Sequence, residues 1–474
     1  MKSNFATELF SIVGPEAVLH LPDDLMLYEY DGAVDKALPQ AVVFPSSTEE
    51  VTQLVRWASQ HKLPLVARGA GTGLSGGAIA VQGGLVLGFS RMKKIVEIDI
   101  ENQRAVVQPG VVNLDLSLAV ASSGYYYVPD PSSQKACTIG GNVSENSGGP
   151  HTLAYGVTTN HVLGLEVVLP SGEVIHTGGK VVDCPGYDLT GLLVGSEGTM
   201  GIVTQIIVRL VRKPEAVRTL LAIFETVDDA SETVVEITAR GITPAAVEMM
   251  DQLTLQAVED ATRAGYPRDA AAVLLIELEG LTEGVEVQAT QISEVCRKHC
   301  VREVRLAQSE AERQLLWAGR KNAFGAMGRI APSYYVQDGV IPRTRMPETL
   351  RYVREVSECY DLPIANVFHA GDGNLHPIIL FDARDHEQYK RVLKAGADIL
   401  SYCVSIGGSI TGEHGVGMEK NELMPLLFTE DDLTVMGKLK AVFNPDGRLN
   451  PSKVFPTTKG CGEIRIHHQT GGPK

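Results

Sequence analysis

No stretch of this chain is basic enough to announce a nucleic acid or apolar enough to announce a membrane. Lys and Arg number 42 against 57 Asp and Glu, a formal net charge of −15, and no basic run occurs. Neutralising phosphates needs clustered cations, so this balance argues against nonspecific nucleic-acid binding. Uncharged apolar stretches of helix length are missing, which argues against a membrane span. The opening MKSNFATELFSIVG lacks the basic start, continuous apolar core and small-residue cleavage site of a signal peptide. A cytoplasmic location is the expectation that follows. Cysteine is sparse and scattered, at Cys137, Cys184, Cys296, Cys300, Cys359, Cys403 and Cys461, with no CxxC. That pattern supports neither an iron–sulfur cluster nor a zinc ribbon, and reads as reduced packing residues. Low-complexity tracts are also missing.

What the chain has is glycine, concentrated in loops. Val66–Ala78, VARGAGTGLSGGA, holds five glycines in thirteen residues, and Arg68 is its only charge. Glycine lets backbone N–H groups approach a ligand closely, and such a loop can cradle a phosphate. A purely structural glycine turn is the alternative reading. Gly71, Gly73 and Gly76 formally fit GxGxxG, yet Ile79–Phe89 reads as strand and turn, not the helix a Rossmann unit requires. A second loop follows Pro129-Asp-Pro-Ser-Ser133. Thr138–Gly149 packs four Gly, three Ser or Thr and two Asn into twelve residues, and a loop so poor in core formers must be held by its hydrogen bonds. A third, Gly195–Gly201, runs into the apolar strand Ile202–Leu210. One long polyphosphate-bearing ligand explains three loops of one chemical type.

At 474 residues, 44% of them hydrophobic, the chain is long enough for two or three domains with sizeable cores. Residues 1–38 read as an irregular lead-in. Ser47–His61 reads as a helix opened by a Ser47/Glu50 capping box. Leu65–Ala67 is a short strand delivering the first glycine loop, and Val162–Leu169 with Val174–Thr177 is a hairpin. Near Lys213-Pro-Glu215 the glycine loops stop and two β–α–β units begin: Thr219–Phe224, Val227–Ala239, Pro244–Met249, then Ala272–Leu278, Glu286–His299, Arg302–Arg305. Two such units fit a ferredoxin-like antiparallel sheet with helices on one face. Farther on, His369-Ala-Gly-Asp-Gly-Asn-Leu-His376 sets two histidines across a tight turn, and Glu413-His414 follows downstream. Two imidazoles and a carboxylate suit a divalent transition metal. Two hydrogen-bonded histidines beside an unrelated Glu-His suit the spacing equally.

Together, Arg68–Gly77, Pro129–Ser132, Thr138–Gly149 and Gly195–Thr204 resemble the flavin domain of the vanillyl-alcohol-oxidase/PCMH superfamily of FAD enzymes. The resemblance implies an α+β protein. Its PCMH-type FAD-binding domain of two α/β subdomains (39–214) precedes a ferredoxin-like antiparallel-sheet substrate (cap) domain with a C-terminal helical segment (215–456), then a tail (457–474). Carried over residue by residue, the cofactor positions are Arg68, Gly69, Ala70, Gly71, Thr72, Gly73, Leu74, Ser75, Pro129, Asp130, Pro131, Ser132, Thr138, Gly141, Asn142, Ser144, Glu197, Gly198, Ile202, Val203 and Asn450. Some relatives attach FAD to a histidine where this chain has Thr72, so the implied FAD is noncovalent.

His369, His376 and Glu413 resemble the metal ligands of the superfamily's D-2-hydroxy-acid branch, in which zinc, manganese or iron suits an N,N,O set. His414 matches that branch's general base and Arg320 its substrate-carboxylate clamp. The branch includes the glycolate oxidase catalytic subunit, D-lactate dehydrogenases and D-2-hydroxyglutarate dehydrogenase, and the pattern here is most similar to the first two. It implies metal-assisted oxidation of glycolate or D-lactate to the 2-oxo acid, with hydride transfer to flavin N5. Relatives taking a longer dicarboxylate carry Thr and Lys where the alignment puts Phe324 and Val336, which disfavours hydroxyglutarate. A non-catalytic flavin-binding subunit is the other alternative, and it would have no reason to keep His369, His376, Glu413 and His414 together. The resemblance also implies partners, a second flavin-domain subunit and an iron–sulfur subunit, through which the chain would lie peripheral to the inner membrane.

Overall fold

Phe5, Leu9, Ile12 and Val13 recur at the spacing of one helix face. In the computed structural model, which describes residues 3–181 and 185–456, they build the helix Ser3–Val13, with Leu9 and Val13 in the core of the first subdomain. The lead-in is therefore not irregular. It continues into the strand Val18–Leu19, which pairs with Ala41–Val43, and Trp57 Nε1 donates to Glu8 at 2.7 Å. The tail 457–474 and Cys184 lie outside the described residues; the five described cysteines are free.

Two large sheets and one two-stranded pair, Tyr125–Tyr126 with Val211–Arg212, make up the flavin-side half. The first is ordered Val18–Leu19, Ala41–Val43, Leu85–Gly88, Leu65–Arg68, and its last three strands are parallel. Helix Thr48–Gln60 covers it with Val51, Leu54, Val55 and Ala58. Ser47 Oγ caps that helix by accepting from Glu50 N at 3.3 Å, but the Glu50 carboxylate accepts from Ser46 N (2.7 Å), one residue before the expected capping-box partner. The second sheet has five antiparallel strands, Ile95–Asp99, Arg104–Val107, Ile202–Arg209, Val162–Val168 and Val174–Gly178. Its inner face packs on Leu116, Val120, Ile139 and Val143.

The cap half carries a nine-stranded sheet. Four strands run in the order Glu303–Leu306, Ala216–Phe224, Ala272–Gly280, Ala246–Asp251, all antiparallel, which is the ferredoxin-like arrangement. The sheet then continues past Ala246–Asp251 through Ile364–His369. Helices cover both of its faces rather than one. Leu220, Ala222 and Phe224 pack on the helices Val227–Ala239 and Thr282–Lys298, while Leu221 and Ile223 face Leu255, Val258 and Leu316 on Gln252–Thr262 and Glu310–Lys321. A strand buried on both faces reads as a continuous apolar run, as Leu220–Phe224 does. Among the described residues no helix is long and apolar enough to cross a membrane.

Candidate active site

One cavity collects residues from both halves. Arg68–Leu74, Pro131–Ser133, Thr138, Gly140–Asn142, Ser144, Glu197, Gly198 and Val203 line it from the flavin side; Phe324, Tyr334, His376, Glu413 and His414 line it from the cap. The glycines are required by geometry at two points. Gly71 has φ +71°, and a Cβ there would run into the Arg68 guanidinium, which is only 6% exposed beneath the loop. A Cβ on Gly69 would meet Thr138 Oγ1, the atom that caps helix Ile139–Glu145 by accepting from Gly141 N. The first glycine loop is thereby held against the N-terminus of a helix, where the sequence had suggested a second loop.

Five residues expected to touch the cofactor lie off the cavity wall and hold the loops instead. Ser75 Oγ donates to His414 O (2.9 Å), Pro129 O accepts from Asn113 Nδ2 (2.8 Å), and Asp130 pairs with His151 and Lys321. Ile202 is in the core, and Asn450 Nδ2 donates to Gly77 O and Glu197 O. Glu197 lines the cavity, yet its carboxylate accepts from Val416 N (2.7 Å) and Gly417 N (2.8 Å). Val336 is likewise core and does not line the cavity; Phe324 and Tyr334 do.

The turn after Ile364–His369, with Gly373 at φ +82°, returns the chain so that the rings of His369 and His376 lie 5.0 Å apart. Glu413 Oε1 sits 3.1 Å from His369 Nε2 and 3.4 Å from His376 Nε2. The three donor atoms lie within 4.8 Å of one another. Neither ring nitrogen of His376, a residue 1% exposed, has a hydrogen-bond partner. Its Nε2 faces carboxylates only at the longer distances of an ion pair, Glu413 at 3.4 Å and Asp338 at 3.5 Å, and such an N,N,O set fits a divalent metal. Burial lowers the His369 pKa, but Glu248 and Glu413 outweigh it and raise it well above the ordinary value. A cation there would replace that proton.

Three charged residues stand behind the cavity wall: Glu248 and Asp338, which the sequence did not single out, and Arg320, expected as the carboxylate clamp. Glu248, in the strand Ala246–Asp251, accepts from His369 Nδ1 (2.7 Å) and from Arg320 Nε (2.7 Å). Arg320 is 1% exposed at the end of helix Glu310–Lys321, and its Nη1 has no partner. Asp338 accepts from Gly412 N (3.1 Å), His414 N (2.9 Å), Thr411 Oγ1 (2.5 Å) and Lys420 Nζ (3.2 Å). It fixes the loop that presents Glu413 and His414. Burial lowers the His414 imidazole to about 4, with His376 and Lys420 adding to the effect and Asp338 opposing it. The ring is therefore neutral at neutral pH, as a proton acceptor must be. The sequence signal for Glu248 and Asp338 was a lone charge inside an apolar strand or turn.

Residues 213–454 match the C-terminal domain of FAD linked oxidases, and residues 39–178 match the FAD binding domain. The chain belongs to the FAD-linked oxidase family. Family membership makes it an FAD-dependent oxidoreductase. It is 47% identical over 455 residues to glycolate oxidase subunit GlcD of Escherichia coli, covering 95% of this chain and 91% of that one. GlcD of Bacillus subtilis is 44% identical over 450 residues (94% and 96% covered), and a D-lactate dehydrogenase of Anaerostipes hadrus 31% over 459 (94% and 96%). Among solved structures, p-cresol methylhydroxylase superposes with a TM-score of 0.81 at 20% identity, covering 96% of this chain and 97% of that one, and so shares the PCMH-type fold.

Proposed function

We propose that this enzyme oxidises a small D-2-hydroxy acid, glycolate or D-lactate, to the 2-oxo acid. The observation that carries the reading is the single cavity shared by the family's glycine loops and by His376, Glu413 and His414. The names of the GlcD and D-lactate dehydrogenase relatives agree with it. On this reading 39–214 binds FAD and 215–456 brings the substrate groups. When bound, FAD supplies the two-electron acceptor for the C2–H bond. A divalent cation held by His369, His376 and Glu413 would supply Lewis acidity toward the substrate's hydroxyl and carboxylate. His414 takes the hydroxyl proton. Arg320, buried with a free Nη1, attracts the carboxylate. Phe324 and Tyr334 line the cap side of the cavity, and among the described residues no Lys or Arg of the cap lines it to take a second carboxylate. Since the GlcD relatives are named as subunits, the chain is expected to work beside further subunits, a second flavin domain and an iron–sulfur protein, that carry electrons onward.

The direct test is an anaerobic absorbance spectrum before and after glycolate, D-lactate, L-lactate or D-2-hydroxyglutarate. Bleaching of the flavin by glycolate or D-lactate alone supports the proposal, and bleaching only by hydroxyglutarate refutes its substrate assignment. Two variants probe the parts. Arg320→Met should raise KM and lower kcat/KM by about 30-fold or more, because truncating one partner of a buried charge pair costs about 2–5 kcal/mol. Unchanged kinetics in a folded variant would reduce Arg320 to a structural partner of Glu248. Gly71→Ala should weaken FAD binding by about tenfold, since a left-handed non-glycine residue costs about 1–2 kcal/mol. Titration of FAD into apoprotein reads this, and an unaltered Kd would show that the loop does not need its positive φ.

A further inference from the structure

Outside the cavity, a second cluster of charges bridges the two halves. From the flavin side come Asp130, one residue before the cavity-lining Pro131 and Ser132, and His151; from the cap come Glu277 and Lys321. Asp130 Oδ1 lies 2.9 Å from His151 Nδ1, and Asp130 Oδ2 accepts from Lys321 Nζ at 3.0 Å. His151 Nε2 lies 3.2 Å from Glu277 Oε1, and its ring stacks on Trp317 at 5.7 Å. Glu277 also accepts from Thr219 (2.7 Å), Arg313 Nε (3.0 Å) and Trp317 Nε1 (2.5 Å). His151, Glu277 and Glu279 have the spacing of a metal site. Both His151 nitrogens already face carboxylates, and the Glu277 and Glu279 oxygens already accept from protein donors, so the cluster is an ion-pair clasp. Burial pushes the Asp130 carboxyl up, but His151 and Lys321 outweigh it and hold it ionised.

Arg313, Trp317 and Lys321 recur every four residues along one face of helix Glu310–Lys321, and that face meets the clasp. Arg320, the residue before Lys321, turns to Glu248 and through it to His369. A helix transmits position rigidly, so the contact that seats Lys321 also seats Arg320.

We propose that Asp130 and Lys321 are positioning residues for substrate binding: their ion pair ties the cofactor loop Pro129–Ser132 to the helix end that presents Arg320. This rests on the reading of Arg320 as the carboxylate's cation. The pair acts on how well the substrate's carboxylate is held, and leaves the proton-accepting groups in place. Asp130 thus serves the flavin loop from behind, by docking it to the cap.

The test is a double-mutant cycle on the FAD-loaded full chain, using Asp130→Asn, Lys321→Met and the pair together. One readout is the Kd of oxalate, a non-oxidisable two-carbon carboxylate, from the perturbed flavin spectrum. Another is the limiting rate of anaerobic flavin reduction by glycolate or D-lactate, with the melting temperature as control. Each single variant should weaken oxalate by about five- to thirtyfold, about 1–2 kcal/mol at 1.4 kcal/mol per tenfold, and the two effects should not add, as holds for residues in contact. The limiting reduction rate should change far less. The double variant should be no worse than the weaker-binding single, and Lys321→Arg should restore binding. Strictly additive effects, an unaltered oxalate Kd in Lys321→Met, or a loss shared equally by Kd and limiting rate would overturn the proposal. If Asp130→Asn does not fold, the Met and Arg variants of Lys321 decide alone. Arg320→Met run in parallel separates the two readings. If it leaves oxalate binding intact, the carboxylate clamp and this proposal fall together; if it weakens binding while Lys321→Met does not, only the clasp falls.

Discussion

Replacing His414 with Asn is expected to leave the protein folded and FAD bound while slowing flavin reduction by substrate by about 10²- to 10⁴-fold, the usual weight of a positioned general base. The substitution removes the proton acceptor and little else. The loop is held through backbone groups: His414 N donates to Asp338 at 2.9 Å and His414 O accepts from Ser75 Oγ at 2.9 Å, and an asparagine keeps both. Beyond the proton acceptor, the variant forgoes chiefly the stacking of the imidazole on His376, with ring centroids 4.8 Å apart. Anaerobic stopped-flow reduction at saturating glycolate or D-lactate measures the effect. A normal rate would remove His414 from the chemistry.

Glu413→Ala should empty the proposed metal site and abolish turnover, by at least about a hundredfold given what even supporting residues contribute at metal sites. Among the described residues its carboxylate is the one group that approaches both His369 and His376, at 3.1 and 3.4 Å. The backbone of the loop again stays on Asp338, so the variant should fold and retain FAD. Metal analysis of the purified protein, with activity before and after a strong chelator and after re-addition of zinc, manganese or iron, gives the answer. An enzyme that holds no metal and ignores both the chelator and the substitution would sink the metal assignment.

How much of this could be read from the residues depended on distance along the chain. The loop at Arg68–Gly77 was legible because its composition admits few other uses, whereas Thr138–Gly149, read as a loop, folds over Ile139–Glu145 as a helix capped by Thr138. His369 and His376 were legible because a short Gly/Asp/Asn turn separates them, so local geometry alone brings them together. Glu248 and Asp338 were not. Glu248 reaches His369 across the register of two strands more than a hundred residues apart, and Asp338 meets Gly412 and His414 only once the loop folds back on it. Asp130 is the opposite case. Its neighbours in the flavin motif suggested a cofactor contact, while its partners His151 and Lys321 are set by docking of the two halves. Val336 was placed beside the substrate by alignment, yet its strand turns it into the core and leaves Tyr334 at the cavity.

By itself the sequence determined the α+β class, the flavin loops, the absence of a basic or membrane-spanning run, and the identity of the two histidines with the Glu-His that follows. Each rests on composition or short-range spacing, which the chain carries before it folds. Only the tertiary structure decided that both sheet faces of the cap are covered, that the lead-in is an ordered helix and strand, and that Arg320 is buried against Glu248. It also decided that Asp338 aims the loop of His414. These facts depend on which surfaces meet, and burial of apolar faces selects those meetings over distances that no local pattern records.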